Sequence, residues 1–583
     1  MTIANIALLL LALLAVARGQ QEVGRGRRKN FEVMVPMSDG VELHTKIYFP
    51  RDSTSKTNDG KFPCVLDRSP YGYGDMEEFM NIFLPFGFVS IGQDMRGTEK
   101  SDGNWNMFLD EAGDSLDMGN WIVQQDWSNG EVYTFGMSAD GMGSIQTIEN
   151  APSWLKGQYV GWAPSRIYNV LFPHGAYKQK TTEDWVTDLD MANESWLPSL
   201  LQTIHENENH SDEFWGQVEM SDEKLANVDF PNAIWAGWYD IFQAETLALF
   251  DGYNEKRRET KLVVDPVGHC LEAQTFWTQD VVYGRTGLAL AQAFEVFGIM
   301  DLKRTNIKNI TYYLMSSNDT AGEEAGQYWS TTEEWPKHSP TSYYLHAGGV
   351  ASTQSVVGGE DESTTYLYDP ADPVPTVGGN NLPHSIGGSI PCGPLDQNEV
   401  DDRDDVLVFE TEVMEDALYL TGPLLANLFV SSDAIDTDFS VKISDVYPTG
   451  EALIISDQTF RMRWRENGDA PDMIVNGTVY NIEVNVWNTS YAVAPGHALR
   501  FTVSSSNYPR FSVNPNNGLL LADPEYPGKN VTAMNTLHHS EEYKSKFILP
   551  VVEKPKRVRV LKELESMGIS DEMVEVFATR LGN

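Results

Sequence analysis

An α/β core interrupted by a helical cap and followed by a β jelly roll is the architecture this sequence predicts, on three observations. First, the short apolar runs Phe62-Pro-Cys-Val-Leu66, Phe88-Val-Ser-Ile91 and Val132-Tyr-Thr-Phe135 are separated by segments long enough for the crossover helices that parallel strands require. Second, residues 152–230 turn Trp-rich and polar, as in Glu183-Asp-Trp-Val-Thr-Asp-Leu and Ser211-Asp-Glu-Phe-Trp215, with helical spacing and little strand signal. Third, beyond residue 309 the helical signal nearly vanishes. Runs such as Thr311-Tyr-Tyr-Leu-Met315, Ala417-Leu-Tyr-Leu-Thr421, Ala426-Asn-Leu-Phe-Val430 and Leu499-Arg-Phe-Thr-Val-Ser504 take over, spaced by Gly, Pro, Asn and Asp turns.

The elements follow in order. Residues 1–19 read as a signal peptide: Ile6 to Val16 is almost wholly apolar, and Ala17-Arg18-Gly19 is a small-x-small cleavage pattern. The chain is therefore expected to be secreted, to the extracellular space or the secretory pathway. A basic linker, Arg25 to Lys29, precedes a hairpin of Phe31–Val35 and Val41–Ile47 turned at Ser38-Asp39-Gly40. The first part of the core spans 31–151 and the cap 152–230. The core resumes over 231–308, with strand-like runs at Ala233–Ala236 and Leu262–Val264, and the jelly roll spans 309–552. A charged extension, 553–583, carries helical patterns at 561–567 and 571–581.

Composition narrows the partners. The 583 residues exceed what one core usually organises. With 84 acidic against 42 basic side chains, the net charge of -42 repels phosphate backbones and anionic headgroups. Neither a nucleic acid nor, once the signal is removed, a membrane is expected as a partner. A homodimer is left open. Sequons at Asn193, Asn209, Asn309, Asn318, Asn476, Asn488 and Asn530 permit glycosylation. Cys64, Cys270 and Cys392 are the only cysteines, so at most one bridge can form. No metal-binding motif occurs, and no cofactor is expected.

Strand Val132–Phe135 leads into Gly136-Met-Ser138-Ala-Asp-Gly141 and then a helix-compatible segment from Met142 to Glu149. Strand, sharp turn and helix make a nucleophile elbow, in which small residues let strand and helix pass closely. The second glycine stands one position later than in G-x-S-x-G, and a plain Gly/Ser turn would read similarly. A serine hydroxyl needs a base, and the base an orienting acid. Asp240 ends Ala233-Ile-Trp-Ala-Gly-Trp-Tyr-Asp240 and His269 ends Leu262-Val-Val-Asp-Pro-Val-Gly-His269, so the order is Ser, Asp, His at successive strand ends. Asp240 could instead cap the next helix, and Asp265 is a rival acid lying before the turn. Trp238 and Phe242 flank the acid and could line an aromatic pocket or pack in the core. Asp94 and Arg96 read as a structural ion pair.

These residues resemble the CocE/NonD hydrolases, relatives of X-prolyl dipeptidyl-peptidases and α-amino-acid ester hydrolases. Further segments share the likeness, among them Ser69-Pro-Tyr71, Asp94-Met-Arg-Gly97, Tyr366-Leu-Tyr-Asp-Pro-Ala-Asp-Pro-Val-Pro375 and Ser431-Ser-Asp-Ala-Ile-Asp-Thr-Asp-Phe439, over about Phe31 to Val552. The resemblance implies an α/β-hydrolase core, a helical cap and a jelly roll beside the active site. It also implies an oxyanion hole from the Tyr71 hydroxyl and the Ala139 N–H. Where family members commonly carry Tyr after the nucleophile, this chain has Ala139.

The expected activity is hydrolysis of an ester or amide of a small carboxylic acid, through an acyl-enzyme on Ser138 with His269 as base and Asp240 as its acid. Three alternatives stay open: an X-prolyl dipeptidyl-peptidase or amino-ester hydrolase, an acyltransferase with the same triad, and a catalytically silent secreted binding module.

Overall fold

A computed structural model describes residues 30–50, 60–72, 81–188, 196–256, 260–278, 280–302, 305–358, 363–382, 388–466, 470–569 and 574. The expected signal peptide, the basic linker, the sequon at Asn193 and nearly all of the expected helix at 571–581 lie outside the described residues.

The core is one twisted sheet of ten strands. They are β1 (Phe31–Pro36), β2 (Glu42–Tyr48), β3 (Phe62–Ser69), β4 (Val89–Asp94), β5 (Ser128–Met137), β6 (Leu155–Gly161), β7 (Asn232–Gly237), β8 (Lys261–Asp265), β9 (Ile310–Ser316) and β10 (Tyr328–Thr332). Pairing gives the order β1-β2-β4-β3-β5-β6-β7-β8-β9-β10, parallel from β4 to β9 and antiparallel at both ends. Central strands of such a sheet are covered on both faces and read as continuous apolar runs; all six residues of β7 are buried. Helices α1 (Glu111–Val123) and α2 (Ser138–Gln146) pack on the sheet.

The chain leaves the sheet after β6 for the cap, built from α3 (Ile167–Leu171), α4 (Gln179–Asp188), α5 (Trp196–Glu206), α6 (Glu213–Val218) and α7 (Asp222–Ala226). Buried Trp215, Ile204 and Val186 anchor it. After β7 come α8 (Gln243–Asn254) and, after β8, α9 (Asp280–Val296). The β domain is a two-layered sandwich whose longest strand, Leu418–Ser432, alternates buried Leu424, Ala426, Leu428 and Val430 with more exposed neighbours, as a half-buried strand must.

Two expectations need correction, and two segments gain detail. The cap does not begin at residue 152, because Leu155–Gly161 forms β6 between β5 and β7. Residues 309–332 belong to both sheets: β9 pairs with β8 and β10 with β9, while Met315 and Ser316 of β9 also pair with Tyr491 and Ala492 of the β domain. Asp94 and Arg96 do not pair with one another. Asp94 faces β2, where His44 Nδ1 lies 2.7 Å from its carboxylate, while Arg96 reaches Asp114 on α1 at 2.6 Å and Asp39 at 2.7 Å. In the C-terminal extension the helical pattern at 561–567 is met by α10 (Val560–Ser566), which buries Val560 and Leu564 against α9.

Candidate active site

Ser138 sits at the end of β5 with φ +56, a left-handed conformation uncommon for a non-glycine residue and costly, so that it persists only where the surroundings enforce it. They do. A Cβ on Gly136 would lie 2.4 Å from the Asp140 carbonyl oxygen, and one on Gly141 2.6 Å from the Ala163 Cβ. Glycine at both positions is thus what lets β5 turn into α2 at this angle. Ser138 is half-buried, and the Ala139 N–H lies in the first turn of α2, where amides have no intrahelical acceptor.

The acid and the histidine meet. Asp240 Oδ2 lies 2.5 Å from His269 Nδ1 and accepts the His269 backbone N–H at 2.8 Å, while Oδ1 accepts from the Phe242 N–H at 2.8 Å. Asp240 is fully buried. Its carboxylate therefore fixes the imidazole, the turn that carries it and the start of α8 together. The tight approach depends on glycine: Gly268 has φ +58, and a Cβ there would lie 2.4 Å from Asp240 Oδ2. The other imidazole nitrogen, Nε2, is buried and has no hydrogen-bond partner among the described residues. Ser138 accordingly does not hydrogen-bond to it here.

Strand register brings the serine and the histidine to one edge of the sheet. Met137, just before Ser138, pairs with Gly161, and Gly161 with Trp235. Trp162, the next residue, lies tilted against His269 with ring centroids 5.3 Å apart. Tyr71 belongs to the same edge: it follows β3, whose Leu66 pairs with Thr134 of β5. The Tyr71 hydroxyl accepts from Trp185 Nε1 of α4 at 2.8 Å, so the cap orients it.

Asp265, the rival acid, is engaged elsewhere. Its Oδ1 accepts the Val267 and Gly268 amides, both at 2.7 Å, and its Oδ2 accepts from Trp235 Nε1 at 2.7 Å and Arg285 Nε at 2.9 Å. It shapes the turn that carries His269. Of the two aromatics, Phe242 stands edge-on to His269 at 5.5 Å. Trp238 is a core residue, buried, with its Nε1 donating to the Tyr313 carbonyl at 2.9 Å. Lys178, buried after α3, lies over the Trp487 ring at 4.2 Å and reaches the Ile241 carbonyl beside the acid at 3.4 Å. Burial, with Arg510 nearby, pushes its ammonium down to about 7.

Residues 39–271 match the X-Pro dipeptidyl-peptidase (S15 family) domain, and residues 305–548 match the X-Pro dipeptidyl-peptidase C-terminal non-catalytic domain. The cocaine esterase of Rhodococcus sp. (strain MB1 Bresler) is 30% identical over 586 residues, spanning 90% of this chain and 98% of its own. The chain belongs to the CocE/NonD family of serine hydrolases. Solved structures share the fold: an aminopeptidase from a Thaumarchaeota archaeon of marine sediment (TM-score 0.75, 20% identity, 92% of this chain and 99% of that one) and an α-amino acid ester hydrolase (0.74, 23%, 92% and 98%). A CocE/NonD family hydrolase from Staphylococcus aureus aligns at TM-score 0.67 and 16% identity over 92% and 100%.

In this CocE/NonD chain the structure adds residues that the sequence did not single out. The sequence shows Trp185 only as part of a Trp-rich cap, although a tryptophan among charged helical neighbours is itself a signal of a buried contact. Asn380 of the β domain donates from Nδ2 to the Asp240 carbonyl at 2.8 Å and the Trp238 carbonyl at 3.0 Å. The one disulfide among the described residues joins Cys270, directly after His269, to Cys392. Cys64 is buried in β3, and burial pushes its thiol up to about 12, so it is not a competing nucleophile.

Proposed function

We propose that this CocE/NonD serine hydrolase is secreted and cleaves esters of small carboxylic acids through an acyl-enzyme on Ser138. His269 Nε2 takes the hydroxyl proton as Oγ attacks the carbonyl carbon. The tetrahedral oxyanion accepts from the Tyr71 hydroxyl and the Ala139 N–H, and collapse expels the alcohol, which leaves with the proton from His269. Water then attacks the acyl group, His269 taking its proton and returning it to Ser138 as the acid departs. Asp240 holds the imidazole with the proton on Nδ1 and stabilises the imidazolium as it forms.

The observation that carries this reading is the asymmetry of His269, with Nδ1 held by a buried carboxylate and Nε2 buried without a partner. Burying a polar nitrogen unsatisfied costs about 1–3 kcal/mol, and such groups recur where a reacting partner completes them. The missing Ser138 contact is of the kind that tightens when substrate binds. An ester is favoured over a substrate gripped by its ammonium because Glu245, the first acid after Asp240, is buried, its Oε1 accepts from Asn169 Nδ2 at 2.9 Å, and burial raises its carboxyl above the usual range, which disfavours the charge an ammonium needs. The disulfide supports an oxidising compartment.

The experiment is turnover of short p-nitrophenyl esters by wild type and Ser138→Ala. Loss of nearly all turnover, with loss of fluorophosphonate labelling, is expected; undiminished turnover would remove Ser138 from the mechanism. Turnover of Ala-Pro-anilide above that of the esters would instead assign a dipeptidyl-peptidase.

A further inference from the structure

Residues 378–382 and 388–397 of the β domain form two legs of a strap that reaches back to the hydrolase core. The legs are tied to one another. Gly379 and Gly393 exchange backbone hydrogen bonds of 2.8 and 3.0 Å, and Asn381 Nδ2 donates to the Gly378 and Pro391 carbonyls, both at 2.8 Å. At the root, Gln397 Nε2 bonds the Val377 and Leu395 carbonyls at 2.8 and 2.9 Å. These bonds tie the two described legs to one another.

Each leg ends next to a group that the proposed mechanism needs. Asn380 spends both amide hydrogens on the carbonyls of Trp238 and Asp240, which fixes the backbone of the acid. Cys392 is bonded to Cys270, one residue after the base, and a Cβ on Gly393 would lie 2.8 Å from the Ala273 Cβ, so the leg is seated against the same turn. Ser389 donates from its N–H and its hydroxyl to Asp184 Oδ2 at 3.0 and 2.9 Å. The next residue on α4 is Trp185, whose indole donates to the Tyr71 hydroxyl. One element thus touches the acid loop, the base turn and the helix that orients the oxyanion tyrosine.

We propose that this strap positions the three groups relative to one another, with Asn380, Cys392 and Ser389 as positioning residues that contact no reacting atom. The inference rests on the triad reading above. Its physical basis is that catalytic groups must be held to within a fraction of an ångström, and loops after parallel strands are not rigid enough alone. Tying both loops and the cap to a sandwich of hydrogen-bonded strands supplies the missing constraint.

The test compares full-length wild type with Cys270→Ala/Cys392→Ala, Asn380→Ala, their combination, Ser389→Ala and Ser389→Thr, using p-nitrophenyl butyrate well below each melting point. Loss of one tie is expected to lower kcat about 10- to 100-fold with KM within about threefold, the scale of a misplacement near 1 Å. It should also displace the acid limb of the kcat/KM–pH profile, which reports the base. Because both ties act through one strap, their combined effect should fall short of the product of the single effects. Ser389 is exposed and tolerates substitution; its alanine variant is expected to lose roughly three- to tenfold in kcat, part of an oxyanion donor's effect, and threonine, which keeps the hydroxyl, to restore it. Variants that melt earlier yet keep wild-type kcat and pH profile would make the strap a stability element and overturn the proposal. An active Ser138→Ala would defeat the parent reading instead, so the two failures are distinguishable.

Discussion

Replacing Gly268 with alanine tests the contact on which the proposed acid–base pair depends. The residue has φ +58, and the added carbon would lie 2.4 Å from Asp240 Oδ2 and 2.5 Å from its Cβ. An L side chain in the left-handed region costs about 1–2 kcal/mol, and overpacking a filled interior about 1–3 kcal/mol more, so a stability loss of about 2–5 kcal/mol is expected. Restoring ordinary van der Waals spacing moves carboxylate and imidazole apart by about 1 Å, and misplacement on that scale costs about 100-fold in rate. Gly298→Ala is the control: its φ is +70, but nothing lies within 4 Å of the added carbon. It should show the backbone cost alone, about 1–2 kcal/mol, with full activity. The assays are urea denaturation and kcat on p-nitrophenyl butyrate. Wild-type kcat in Gly268→Ala, or equal losses of kcat in both variants, would refute the reasoning.

Two further outcomes follow from the site. Tyr71→Phe should lower kcat by about 100- to 1000-fold, the worth of one oxyanion donor, with KM little changed; Trp185→Phe, which removes the orienting bond and trims the ring packed against Trp105 but keeps the hydroxyl, should cost less, and the reverse order in steady-state kinetics would disprove the assignment. Lys178 carries a pH signature: its folded value is lowered to about 7 by burial and by Arg510, with Asp457 and Asp240 opposing. The unfolded chain keeps that proton up to about pH 10, so the lysine's contribution to stability rises with pH between about 7 and 10. Lys178→Met lacks this term. The stability difference, Met variant minus wild type, should therefore shrink by about 3 kcal/mol from about pH 7 to about pH 9.5 in urea melts, and a constant difference would show the lysine to be solvated.

The elbow was legible in the sequence because its glycines are obligatory and local: Gly136 and Gly141 stand where any side chain meets backbone or Ala163. The two strand-end residues Asp240 and His269 were legible because parallel-sheet topology puts strand ends on one edge. Strand β6 was not. Gly157 sits in it because a Cβ would meet Tyr133 and Val296, both at 2.9 Å. Gln158 is fully buried but bonded to Thr134, the Ser144 carbonyl and Tyr253. A strand whose centre is Gly-Gln reads as a loop. The sheet to which Ile310–Ser316 belongs is likewise decided by partners distant in sequence, since an apolar run fits either. Cysteine pairing across 122 residues and the reach of Asn380 depend on how two domains dock, which no local pattern encodes.

Strand β9 hydrogen-bonds to β8 along one edge, while its Met315 and Ser316 pair with Tyr491 and Ala492 of the sandwich. The hydrolase sheet and the sandwich are therefore stitched along a common seam. Separating the halves by truncation near residue 305 would strip β8 of its neighbour and bare a row of amides and carbonyls, inviting aggregation. Calorimetry of the whole chain should accordingly record a single cooperative transition, with neither half surviving the loss of the other.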